Sequence, residues 1–169
     1  MIITDEKLLR LACTDALPEE IGLIVDQLER ELKASQSGIG LASIQIGIPK
    51  NIAIVRLGNY KINLINCKID KKYDEEIFED EGCLSFPGKF VKTLRYREIH
   101  VVENLGEPRQ FIAQGLLAVV IQHELNHLSG ILLPDVEIKE PPKKKLRPND
   151  ICLCNSGKKY KRCCGINKG

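Results

Sequence analysis

The chain has 169 residues, 43% of them hydrophobic, with 25 Lys and Arg, 23 Asp and Glu, and seven cysteines. That length carries one domain with a full core plus a short appendage and excludes two full domains. No stretch reaches the ~18 apolar residues of a membrane span, and "MIITDEKLLR" has acids where a secretory leader has basic residues, so a cytoplasmic protein without a membrane partner is expected. The net charge of +2 divides unevenly: residues 1–138 hold 15 basic and 21 acidic residues, net −6, and residues 139–169 hold 10 and 2, net +8. The basic part is the one to meet a polyanion.

In chain order, "TDEKLLRLACT" predicts a short helix with Thr4 as its cap and acids in the first turn. "LPEEIGLIVDQLERELKASQSG" predicts a longer one: Pro18 suits a helix start, Ile21, Ile24, Val25, Leu28 and Leu32 keep helical spacing, and Gly38 follows its end. "SGIGLASIQIGIP" is rich in glycine but has neither a Gly-Lys-Ser/Thr ending nor a dinucleotide-binding pattern. Its backbone around Gly38 and Gly40 can pair with an extended substrate, and Gln45 adds an amide donor.

Six short segments follow, "NIAIVRL", "YKINLIN", "EEIFE", "FVKTLRY", "REIHVVE" and "RQFIAQ", rich in Val, Ile, Phe and Tyr. They predict strands in mostly antiparallel sheets. "GLLAVVIQHELNHLSG" then returns to helical period and is too long for an ordinary strand. The expected fold is α+β, with antiparallel sheets around this late helix. "VEIKEPPKKKLRPND" has three prolines and no apolar period, which reads as an extended linker. The expected organisation is a catalytic domain at 1–138, a basic linker at 139–150 and a cysteine-bearing tail at 151–169.

His123 and His127 lie one helical turn apart and can present two imidazoles to one ion, with Glu124 adjoining that face. A catalytic metal needs a third protein ligand, an open position and a base for the water. Cys83, in the acid-flanked turn "EDEGCLSFPG", is the candidate; taken alone it would read as a small buried hydrophobe. One thiolate and two imidazoles suit zinc or ferrous iron, and ligand type does not choose between them. Val119, one turn before His123, and Leu116, three residues further back, share the ligand stripe and could wall a pocket for an unbranched side chain.

"GIGLASIQIG" (38–47), "EGCLS" (81–85) and "QHELNHLSG" (122–130) resemble the three signature motifs of the peptide deformylase family, in the family's order and at similar separations. The resemblance covers residues 1 to about 136. It implies that Cys83, His123 and His127 bind Fe(II), with Zn, Ni or Co able to replace it. It also implies that Glu124 is the acid/base residue, and that Gln45 and the Leu84 N–H polarise a formyl oxygen. The implied substrates are N-formyl-methionyl nascent peptides, the product formate. Three positions depart from the family pattern: Asn126 stands where aspartate is usual, Ser43 where alanine is, and Cys67 where proline is common. If position 126 pairs with an arginine such as Arg95, the asparagine removes a charge from that pair.

The end of the chain, "PNDICLCNSGKKYKRCCG", spaces Cys152, Cys154, Cys163 and Cys164 so that four thiolates can surround one structural Zn. It resembles the SEC-C motif. Lys158, Lys159, Lys161 and Arg162, with Lys143, Lys144, Lys145 and Arg147 of the linker, would then bind a polyanion in a salt-sensitive way. The ribosome, through its RNA or exit-tunnel proteins, is one expected partner, and a secretion chaperone, implied by the motif, is the other. Two further readings stand beside an active deformylase: a metallopeptidase built on the His-Glu-x-x-His helix, and a weakened deformylase that acts as an adaptor through its tail.

Overall fold

The computed structural model describes residues 1–35, 37–106, 109–139, 148, 149, 151, 152, 154, 156–164 and 166. By contact density the chain divides into two units, Met1–Ile138 and Lys139–Gly169. Most of the expected linker, including Lys143, Lys144, Lys145 and Arg147, lies outside the described residues.

The first unit opens with a one-turn helix, α1 (Glu6–Leu9). Its cap is Asp5 rather than Thr4: the Asp5 carboxylate accepts the Lys7 N–H at 2.8 Å, and its negative charge suits the exposed amides of a helix start. Helix α2 (Pro18–Ala34) begins at Pro18 and buries Ile24, Leu28 and Leu32 along one face.

Among the described residues the strands form two three-stranded antiparallel sheets. The first is β1 (Gly40–Ala42), β2 (Ile52–Leu57) and β3 (Tyr60–Ile65), in that order. The second is β4 (Cys67–Gly82), β5 (Phe90–Glu103) and β6 (Arg109–Gln114). Strand β1, only three residues long, was not expected. Two predicted segments, "FVKTLRY" and "REIHVVE", are one strand, because β5 pairs with β4 from Phe90 to Glu103 and with β6 from Glu98 onward. "EEIFE" is the centre of a longer β4, which is exposed along most of its length and so lacks the apolar alternation of a half-buried strand.

Helix α3 (Leu116–Leu128) lies against β1 and β2 of one sheet and β5 and β6 of the other. Strand β2 is buried on both faces, and its period of two divides the core. Ala53 and Val55 join the cluster around Ile121 and Leu125 of α3. Ile52 and Ile54 join Ile24, Leu28 and Leu32 of α2. Gln122 then fixes α3 on β5: its Nε2 donates to the Tyr96 carbonyl (2.8 Å) and its Oε1 accepts the Tyr96 N–H (3.0 Å). That bond sits just before β6 joins β5, where the backbone of β5 is open on one side. His123 and Glu124 follow directly, so this amide clamp sets where they face.

Candidate active site

The convergence of Cys83, His123 and His127 is produced by two separate devices. Cys83 follows the end of β4 in a tight turn closed by the Phe86 N–H donating to the Cys83 carbonyl (3.0 Å). The two histidines come from successive turns of α3. Their Nε2 atoms stand 3.2 Å apart, and His127 Nε2 is 3.2 Å from Cys83 Sγ. All three candidate ligand atoms lie within 4.8 Å of one another. Tetrahedral coordination at ordinary zinc or iron bond lengths separates such atoms by roughly 3.3–3.6 Å, so the donor set fits a single divalent cation.

A carboxylate absent from the expected set holds this arrangement. Glu81 Oε1 accepts from His123 Nδ1 at 2.7 Å. Since a carboxylate only accepts, Nδ1 carries a proton, and Nε2 is the nitrogen turned toward the other two candidate ligands, able to bind a cation once its own proton leaves. Glu81 also accepts from Arg95 Nη2 (2.5 Å), Arg95 Nε (2.8 Å) and Thr93 Oγ1 (2.6 Å). Burial alone would raise its pKa; the Arg95 bonds and those from His123 outweigh it and hold the carboxyl at about 2. Burial would likewise lower His123, but its hydrogen bonds to Cys83 and Glu81 push it up to about 10. Burial, then the neighbouring His123 charge, depresses His127 to about 3, which keeps it neutral, the form in which an imidazole can bind a cation.

Glu124 is buried and its Oε2 has no hydrogen-bond partner among the described residues. Burial first, and the Glu81 charge after it, push its carboxyl up to about 7 against the opposing pull of His123. It lies over Gly40 so closely that a β-carbon there would stand 2.9 Å from the Glu124 carboxyl carbon. Only glycine leaves that space, which is the reason for the residue at this point of the glycine-rich stretch.

Gln45 is buried in a 3-10 turn, Ser43–Ile46, that follows β1. The Ala42 N–H donates to its Oε1 (2.9 Å), which turns its Nε2 toward Ser85 Oγ (3.0 Å) and Cys83 Sγ (3.7 Å). The Leu84 N–H has no hydrogen-bond partner among the described residues. A cavity of about 470 Å³ opens beside these groups, and Gly38, Gly40, Leu84, Leu116, Val119 and Glu124 all line it. Gln45, Cys83 and His123 line it too, so of the candidate residues of the first site all but His127 border one space, polar at Cys83 and His123 and apolar along Leu116 and Val119.

The polypeptide deformylase family model matches residues 2–143. The chain belongs to this family. Peptide deformylase from Heliobacterium modesticaldum is 37% identical over 117 residues, 68% of this chain and 76% of that protein. The crystal structure of peptide deformylase from Thermotoga maritima superposes with a TM-score of 0.73 at 31% identity, covering 82% of this chain and 97% of the other. The deformylase from Synechococcus elongatus in complex with actinonin gives 0.75 at 32% identity, covering 83% and 79%. The chain is thus a peptide deformylase by family and fold, a class of metal-dependent amide hydrolase.

The departures from the deformylase pattern replace none of the candidate ligands. The Asn126 carboxamide makes no hydrogen bond among the described residues, and Arg95 is paired with Glu81 instead. The Ser43 hydroxyl, buried, donates to the Lys50 carbonyl. Burial pushes the Cys67 thiol up to about 12, with the Glu103 charge adding to it.

A second family model, the SEC-C motif, matches residues 149–166. In this unit Cys154 Sγ lies 3.4 Å from Cys152 Sγ and 3.3 Å from Cys163 Sγ, and all four cysteine sulfurs fall within 4.8 Å of one another. Tetrahedral zinc–thiolate bonds separate sulfurs by ~3.8 Å, so this set also fits one ion. The Ser156 hydroxyl 3.2 Å from Cys154, and then Cys163, lower the Cys154 thiol to about 6. The Cys152 N–H donates to the Lys158 carbonyl (2.8 Å), and Lys158, Lys159, Lys161 and Arg162 are exposed. Among the described residues no helix is long and apolar enough to cross a membrane.

Proposed function

We propose that this enzyme removes the formyl group from N-formyl-methionyl nascent peptides in the cytoplasm, releasing formate. Cys83, His123 and His127 hold Fe(II), with Zn, Ni or Co as possible replacements. The observation that carries this reading is the gathering of three ligand atoms beside a buried, unpartnered carboxylate on the wall of one cavity. A divalent cation held there supplies Lewis acidity, lowering the pKa of a water and polarising the formyl carbonyl.

Glu124 takes the proton of the attacking water and returns it to the departing amine; a carboxyl raised to about 7 is matched to that double task near neutral pH. Gln45 Nε2 and the Leu84 N–H donate to the formyl oxygen as it gains charge. The backbone of Gly38 and Gly40 pairs with the substrate chain, and Leu116 and Val119 receive the methionine side chain. Formate release from a formyl-methionyl peptide tests this, using protein purified without oxygen and loaded with ferrous iron. Glu124→Ala abolishes it; release that survives that substitution rejects the mechanism.

For the tail we propose one structural Zn on Cys152, Cys154, Cys163 and Cys164, with the basic face docking on ribosomal RNA near the emerging chain. Co-sedimentation with ribosomes that weakens with salt and is lost on deleting residues 139–169 supports the docking. Co-sedimentation unaffected by the deletion rejects it, and salt-insensitive binding to a secretion chaperone instead assigns the tail to a protein partner.

A further inference from the structure

The mouth of the active-site cavity carries an aromatic ring that the chemistry above does not use. Phe90 is the first residue of β5 and pairs with Gly82, the last residue of β4 and the neighbour of Cys83. It is 67% exposed, yet it lines the same cavity as the ligands. A β-carbon on Gly82 would stand 2.8 Å from Phe90 Cε1 and 3.1 Å from Cδ1, so one edge of the ring rests against a bare stretch of backbone while most of the residue stays exposed. Glycine at position 82 is what lets the ring lie there.

Phe90 is not alone on this rim. Ile39, between the two glycines of the substrate-pairing stretch, is 39% exposed and borders the same cavity. Leu116 and Val119 line it as well, and they already serve the methionine in the proposed reading. Ile39, Phe90, Leu116 and Val119 thus give the cavity an apolar share beside its polar lining by Ser37, Asp80 and Lys89, and since successive residues of an extended peptide advance about 3.3 Å each, the one or two residues after methionine come within reach of it.

We infer that Phe90 is a specificity-determining residue, which favours formyl peptides carrying an aromatic or large apolar side chain in the first two positions after methionine. The inference rests on the deformylase reading and adds a preference to it. A ring already ordered against Gly82 gains aromatic contact area without first being immobilised, an effect of about five- to tenfold in kcat/KM.

The test compares formyl-Met-Phe-Ala and formyl-Met-Ala-Phe with formyl-Met-Ala-Ala on the iron-loaded enzyme. The readout is the kcat/KM ratio within each variant, so a general change in activity cancels. The wild type prefers at least one aromatic peptide by about five- to tenfold, mainly through KM. Phe90→Ala brings that ratio close to one and Phe90→Tyr retains it. A wild-type ratio near one, or a ratio that Phe90→Ala leaves intact, overturns the inference while leaving the deformylase reading in place. No formate from any of the three peptides overturns both.

Discussion

Glu81 meets His123 Nδ1 at 2.7 Å with its remaining acceptor positions filled by Arg95 and Thr93. The carboxylate is thereby kept charged, and it settles which imidazole nitrogen faces the ligand cluster. Replacing it in Glu81→Gln removes the fixed tautomer, and metal affinity falls ~10–100-fold. Competition with a chromophoric chelator measures this; affinity within twofold of wild type would reject the role. Arg95→Met leaves the buried Glu81 charge without its main partner and destabilises the fold by about 3–5 kcal/mol, readable as a shift of the denaturant midpoint.

The same carboxylate makes the metal-free protein acid-sensitive. Its folded pKa of about 2 lies below the ordinary 4.5, so its contribution is complete above pH 4.5 and lost as pH falls through that value toward 2. The difference corresponds to roughly 3 kcal/mol. Acid titration followed by circular dichroism shows a stability decline in that window, and Glu81→Gln flattens it. Equal slopes for the two proteins would place the acid sensitivity elsewhere.

Activity depends on Glu124 in the opposite direction from a general acid alone. As the base that accepts the first proton, it must start ionised, and burial raises its pKa to about 7. kcat/KM therefore falls about tenfold per pH unit on the acid side of a limb at or below about 7. A flat profile down to pH 5 would exclude Glu124 as the proton acceptor.

Gly40→Ala is a test of space. The added carbon would sit 2.9 Å from the Glu124 carboxyl carbon, and the carboxylate must move because Gly40 is held in β1 by its pairing with Val55. A displacement of about 1 Å costs on the order of 100-fold in kcat/KM, while Cys83, His123 and His127 keep their metal. Metal analysis beside the kinetics distinguishes this from loss of the ion.

The tail should report its metal by stoichiometry. Protein loaded with zinc carries two equivalents, and Cys163→Ser carries one, because one of the four thiolates near Cys154 is gone. Limited proteolysis then cuts the variant within residues 148–166 sooner than the wild type. Two equivalents in the variant would disprove a four-cysteine site.

Much of the site could be read from spacing alone. His123 and His127 are four apart on a segment with helical period, and such a pair must share a face whatever surrounds it. The four tail cysteines are close enough in sequence for a short loop to gather them. Helix α2 announced itself by Pro18 and a regular apolar stripe, since a half-buried helix writes its buried face into the sequence. Cys83 was legible only as an odd thiol in an acid-flanked turn, and the family motifs raised it to a ligand.

What only the tertiary structure decided is the set of contacts made across sheets. Glu81 looked like one acid among several, because its partners Thr93, Arg95 and His123 are 12, 14 and 42 residues away. From the sequence, Arg95 was one candidate partner for position 126, and an arginine in an alternating strand carries no mark of the partner it reaches. The length of β4 was hidden for a related reason: an edge strand exposed on most of its residues is held by backbone hydrogen bonds, which every sequence offers equally. Local periodicity thus determined the helices and the ligand pair; long-range packing chose which carboxylate orients the site.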